Sequence, residues 1–74
     1  MKEKVLEIIN DIRASKELAP VAELKETDNL RNDLGLTSFD LAELTVRIED
    51  EFDIDIFDDG LVNTIGEVYA KLEA

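Results

Sequence analysis

Ser38 is the residue whose position suggests covalent chemistry. It follows Asp33-Leu34-Gly35-Leu36-Thr37 and opens the most regular helical stretch of the chain. A hydroxyl there has two uses. If Ser38 caps the helix, its oxygen is spent on free backbone N–H groups. If Thr37 is the cap, Ser38 stands in the first turn with its hydroxyl free, and the positive end of the helix favours an attached anion such as phosphate. Gly35 can take a turn conformation that L-residues avoid, which suits the approach to such a helix. Other reactive groups are scarce. The chain has no Cys and no His, which excludes thiolate zinc sites, Ser-His and Cys-His nucleophile pairs and the commonest proton shuttle at neutral pH. Only carboxylates and Tyr69 remain, and Tyr69 falls on a core-facing stripe, so an enzyme is not expected.

The carboxylates are unevenly placed. Nineteen acids oppose eight bases for a net charge of −11, and residues 33–59 alone hold ten acids against one base, Arg47. Such a charge repels phosphate backbones and anionic headgroups, so neither nucleic acid nor a membrane is an expected partner. Asp53, Asp55, Asp58 and Asp59 crowd together, but no Glu stands twelfth from Asp53 or Asp55, so this is not an EF-hand loop. Glu49, Glu51 and Asp53 should attract divalent cations weakly, without forming a dedicated metal site.

These residues need a scaffold. Seventy-four residues, 45% apolar and 36% charged, suffice for one small domain, here 1–74, with one thin core. Val5, Ile8, Ile9 and Ile12 recur at helical spacing, as do Ile65, Val68, Tyr69 and Leu72, the latter behind a Thr64/Glu67 capping box. Between them, Leu41, Leu44, Ile48 and Phe52 line one side of a helix over Thr37 to Phe52, with Thr45 at the core's edge. Phe52, Ile54 and Ile56 then alternate with Asp53 and Asp55 as in an extended segment. A further short helical turn is expected around Asp58 to Val62, near Gly60. Residues 15–36 form a long first loop, anchored by Leu18, Val21, Leu24, Leu30, Leu34 and Leu36, with Pro20 placed to start one helical turn at Val21 to Lys25. The expected fold is all-α, three main helices plus one short one.

The central helix carries a second apolar stripe. At about 100° per residue, Val46 lies within about 20° of Phe39 on the side opposite Leu41, Leu44 and Ile48. A core this small takes one side only, so Phe39 and Val46 should be exposed, rimmed by Asp40, Glu43, Arg47 and Asp50, unless Phe39 folds back under the long loop. An apolar stripe in an acidic frame suits docking to basic partners; the plainer alternative is a solvated face that keeps the chain soluble. The N-terminus lacks the apolar stretch of a signal peptide, and no run approaches the roughly 20 apolar residues of a membrane span. A cytoplasmic monomer is expected, and Met1 at the start favours a stand-alone chain.

Asp33-Leu34-Gly35-Leu36-Thr37-Ser38-Phe39-Asp40-Leu41-Ala42-Glu43-Leu44, followed by Ile48-Glu49-Asp50-Glu51-Phe52-Asp53-Ile54-Asp55-Ile56, resembles the acyl carrier protein family. That family shows Asp-Leu-Gly, a variable residue, Asp-Ser-Leu-Asp, a helix ending Glu-Glu-Glu-Phe, and an Ile-acid-Ile tail. The resemblance covers nearly the whole chain. It implies that a phosphopantetheinyl transferase attaches the 4′-phosphopantetheine of coenzyme A to Ser38, with Thr37 and Gly35 shaping the turn. It implies further that acyl or aminoacyl cargo rides on that arm as a thioester, for partner enzymes of fatty acid, polyketide or related biosynthesis with basic docking patches. The helix beginning at the serine is the family's main recognition element, and its acidic recognition positions match Asp40, Glu43, Glu49 and Asp50. Thr37 stands where the family has Asp, a residue that there also helps bind the transferase's magnesium. Phe39 stands where it has Leu or Met, and Arg47 interrupts an acidic face. These departures point to a specialised carrier rather than the housekeeping one. The rival in another class is an acidic module of the same fold, never modified, that binds a basic partner through helix 38–52.

Overall fold

Three amphipathic segments fold into three helices in the computed structural model, which describes residues 2–57, 60 and 62–73. They are α1 (Lys2–Ser15), α2 (Ser38–Phe52) and α3 (Ile65–Glu73). Among the described residues there is no strand, only an isolated antiparallel bridge between Asn29 and Thr64. The expected all-α class holds. No helix among the described residues is long and apolar enough to cross a membrane.

Each helix buries the stripe its periodicity marks. Val5, Ile8, Ile9 and Ile12 of α1, Leu41, Leu44 and Ile48 of α2, and Ile65, Val68, Tyr69 and Leu72 of α3 are all buried. Each fully buried aliphatic side chain contributes about 1.5–3 kcal/mol relative to exposure. That is why the Leu-rich side of α2 faces inward and leaves the Phe39/Val46 side in solvent. Thr45, half-buried at the edge, donates its hydroxyl back to the Leu41 carbonyl at 2.9 Å. No polar side-chain atom buried among the described residues lacks a hydrogen-bond partner.

The helix ends follow local chemistry. α1 closes with Glu17 in the left-handed region (φ 63°), its N–H bonded to the Ala14 carbonyl and that of Leu18 to the Arg13 carbonyl, the hydrogen-bond pattern that caps exposed carbonyls. At the start of α3, the Glu67 N–H donates to Thr64 Oγ1 (3.3 Å) and the Thr64 N–H to the Glu67 carboxylate (3.1 Å). This is the expected capping box.

Residues 16–37 join α1 to α2. Leu30, Leu34 and Leu36 are buried, and Val21 and Leu24 pack against the core from the side. Leu18 does not anchor as expected: it is 37% exposed. The helical turn expected at Val21 to Lys25 does not form either. Asn10 of α1 takes both backbone groups of Val21, donating to its carbonyl at 3.0 Å and accepting its N–H at 2.8 Å, and Lys25 gives its N–H to the Asp28 carboxylate. Those bonds replace the ones a helical turn needs.

The alternation of Phe52, Ile54 and Ile56 suggests an extended segment after α2, but the segment is likewise not extended throughout. Phe52 is still helical, and Asp53 turns left-handed (φ 59°, ψ 35°) with its N–H on the Glu49 carbonyl. Asp55 then accepts the Phe57 N–H in a tight turn. One-sided burial nonetheless holds, with Ile56 buried and Phe52 and Ile54 partly so. The short helix expected at Asp58 to Val62 falls largely on Asp58, Asp59 and Leu61, which lie outside the described residues.

Candidate functional site

The turn that delivers Ser38 is locked at successive positions. Gly35 has φ 73°, a conformation that costs an L-residue roughly 1–2 kcal/mol, and an added Cβ would meet a Leu18 methyl at 3.3 Å. The Leu34 carbonyl accepts from the Arg13 guanidinium at 2.6 Å and the Gly35 carbonyl from the Lys16 ammonium at 2.9 Å. The Leu36 N–H donates to the Leu30 carbonyl at 3.0 Å. Leu34 and Leu36, buried on either side of Gly35, pin the turn to the core.

Thr37, not Ser38, caps α2. Its Oγ1 accepts the Asp40 N–H at 3.3 Å, while the Asp40 carboxylate accepts the Thr37 N–H at 2.8 Å. Asp40 also takes the Lys16 ammonium at 2.5 Å, in an ion pair whose side chains are only 27% and 14% exposed. The Lys16 hydrogen bond, followed by that from the Thr37 backbone, holds the Asp40 carboxyl below its ordinary value of 3.8. With the Thr37 hydroxyl also donating to it at 3.0 Å, this expected recognition acid is engaged within the fold by three donor groups, the Thr37 N–H, the Thr37 hydroxyl and the Lys16 ammonium.

With Thr37 as cap, Ser38 is the first residue of α2 and is exposed. Its Oγ accepts a hydrogen bond from Arg31 Nη2 at 2.8 Å. A guanidinium cannot take up a proton, so Arg31 orients the hydroxyl without activating it. The chain has no His or Cys to do so. The site can receive a group but cannot drive its own reaction.

The second stripe of α2 is in solvent as expected: Phe39 is 89% and Val46 67% exposed. Phe39 does not fold back under the loop. Glu49 and Asp50 are exposed and Glu43 half-buried. Arg47 is internally paired, with Glu43 at 3.0 Å and Asp11 of α1 at 3.6 Å. Among the described residues no three acids converge as a metal site would require. The sequence pattern did not single out Arg13, Lys16 or Arg31. Only their rarity marks them, as three of eight bases in so acidic a chain.

A family profile described as a phosphopantetheine attachment site matches residues 3–72. An acyl carrier protein from Prochlorococcus marinus (strain MIT 9515) is 32% identical to the chain over 75 residues, covering 99% of this chain and 94% of that protein. The chain belongs to the acyl carrier protein family, whose members bear covalent 4′-phosphopantetheine and act as carriers rather than enzymes. The residues present fit that group. An exposed primary hydroxyl, a neighbouring guanidinium and a capped helix N-terminus suit a phosphodiester, and the chain's lack of a thiol is made good by the arm, which supplies the sulfur that holds an acyl group.

Proposed function

We propose that Ser38 carries the arm and that the chain presents acyl or aminoacyl thioesters to the enzymes of a specialised biosynthetic pathway. The observation that carries this is Ser38 itself, exposed and first in a helix already capped by Thr37, in a chain of this family. Loading requires a phosphopantetheinyl transferase. Ser38 Oγ forms a bond to the phosphorus that bears pantetheine in coenzyme A, the nucleotide part departs with the electrons of the broken P–O bond, and the serine proton passes to a base on the transferase.

The partner surface we assign is the outer side of α2: Phe39 and Val46 as apolar contact, Glu49 and Asp50 as outward charges, Glu43 and Arg47 as a mutually paired edge. Asp40 contributes mainly by holding the start of α2. Basic docking patches on acyl-loading and acyl-processing enzymes complement this surface. A specialised pathway is favoured by the bulk of Phe39 and by Thr37 in place of the family's Asp. The family match does not favour an unmodified module of the same fold.

Incubation with coenzyme A, magnesium and a broad-specificity transferase should add one phosphopantetheine to the chain, seen by intact-protein mass spectrometry. Ser38→Ala should add none while keeping the parent's circular dichroism. Loading of Ser38→Ala would sink the assignment.

A further inference from the structure

We propose that Arg31 holds the phosphodiester joining the arm to Ser38, so that the arm leaves α2 in a set direction; the inference rests on Ser38 as the attachment residue. Most other bases are committed elsewhere. Lys4 pairs with Glu7 and Glu51, Lys16 with Asp40, and Arg47 with Glu43 and Asp11. Arg13 is spent on the carbonyls of Ala19 and Leu34, and Lys2 lies over the Tyr69 ring. Arg31 points its guanidinium at the side-chain hydroxyl of Ser38, with Oγ at 2.8 Å. Among the described residues no carboxylate lies within ion-pairing distance of it.

In a chain of net charge −11, a cation directed at a hydroxyl leaves its stronger bonding capacity unused, since charge-assisted hydrogen bonds are roughly twice as strong as neutral ones. Esterifying that same oxygen places an anion one bond from the atom Arg31 already contacts. The planar fork of Arg suits two phosphate oxygens at once, which a Lys cannot match. The root of the side chain is preset. Asn29 Oδ1 accepts the N–H groups of Arg31 and Asn32, each at 2.9 Å, and Asp33 holds the Asn29 N–H at 2.6 Å. The Arg31 carbonyl accepts the Gly35 N–H at 3.1 Å, which couples this turn to the one preceding Ser38.

The test is phosphorus NMR of the loaded protein as wild type, Arg31→Gln and Arg31→Lys, each confirmed by mass to bear one arm and by circular dichroism to be folded. In Arg31→Gln the phosphodiester resonance should move to that of the urea-unfolded loaded chain and relax as a mobile group. Arg31→Lys should fall between, and added NaCl should shift the wild type toward the glutamine variant as screening sets in. Identical shifts and relaxation in loaded wild type and Arg31→Gln would overturn the proposal while leaving Ser38 in place. An arm mapped by peptide mass spectrometry to a residue other than Ser38 would instead remove the attachment site, and this inference with it.

Discussion

Asp40 shows how a side chain expected among the docking charges can also serve the fold. Its carboxylate closes the Thr37 capping box and pairs with Lys16, which together depress its pKa. A carboxyl whose folded pKa lies below its unfolded one adds stability above the unfolded value, and that stability fades as pH falls through the folded value. Asp40→Asn should therefore be less stable than wild type at pH 7. The gap should close as pH drops below the ordinary 3.8, a course that urea titrations at stepped pH would trace. A constant gap across that range would mean that the loss is geometric and not ionic.

Thr37 can be separated into its two possible roles through α2. Removing the cap in Thr37→Ala should cost about 1 kcal/mol, visible in urea denaturation, whereas Thr37→Ser, which keeps both the accepting oxygen and the hydroxyl that donates to Asp40, should keep the stability; Thr37→Asp faces Asp40 with a second carboxylate, so its effect on transferase recognition is read beside its own urea curve. The ends and faces of the helices were legible in the sequence because they rest on local rules. The Thr64 cap, the buried stripes and the outward Phe39/Val46 pair each follow from residues within a few positions of one another, whereas Thr37 and Ser38 both offered a cap for α2 and the structure chose Thr37. What was not legible joins residues far apart in the chain. Asn10 captures Val21 and forestalls the helical turn near Pro20; Lys16 reaches Asp40 and Arg31 reaches Ser38. No periodicity encodes such pairs. Alternation at Phe52 to Ile56 marks the one-sided burial that the structure keeps but not the left-handed Asp53, because an extended segment and a capped helix end with a turn both bury one side.

As a whole, the chain is a holder without reactive chemistry of its own. With no Cys and no His, it lacks the usual nucleophiles for a neighbouring thioester, and its contribution is to fix where the arm begins and what surface surrounds it. That makes the integrity of the segment from 16 to 37 central. The segment is fastened to α3 as well as to α1: Leu30 N–H bonds the Asn63 carbonyl at 2.8 Å, Ile65 N–H the Asp28 carbonyl at 3.0 Å, and Gly66 N–H the Glu26 carbonyl at 2.9 Å. A Cβ on Gly66 would sit 3.1 Å from that Glu26 oxygen, so any side chain there would have to push the carbonyl back by a few tenths of an ångström. At nine residues, α3 is below the roughly 12–15 at which an isolated helix is even marginal in water. The seam is therefore expected to open as one cooperative unfolding unit. In native-state hydrogen exchange the amides of Leu30, Ile65 and Gly66 should share a single opening free energy, whereas a Leu30 amide exchanging well ahead of Ile65 would divide them into separate units.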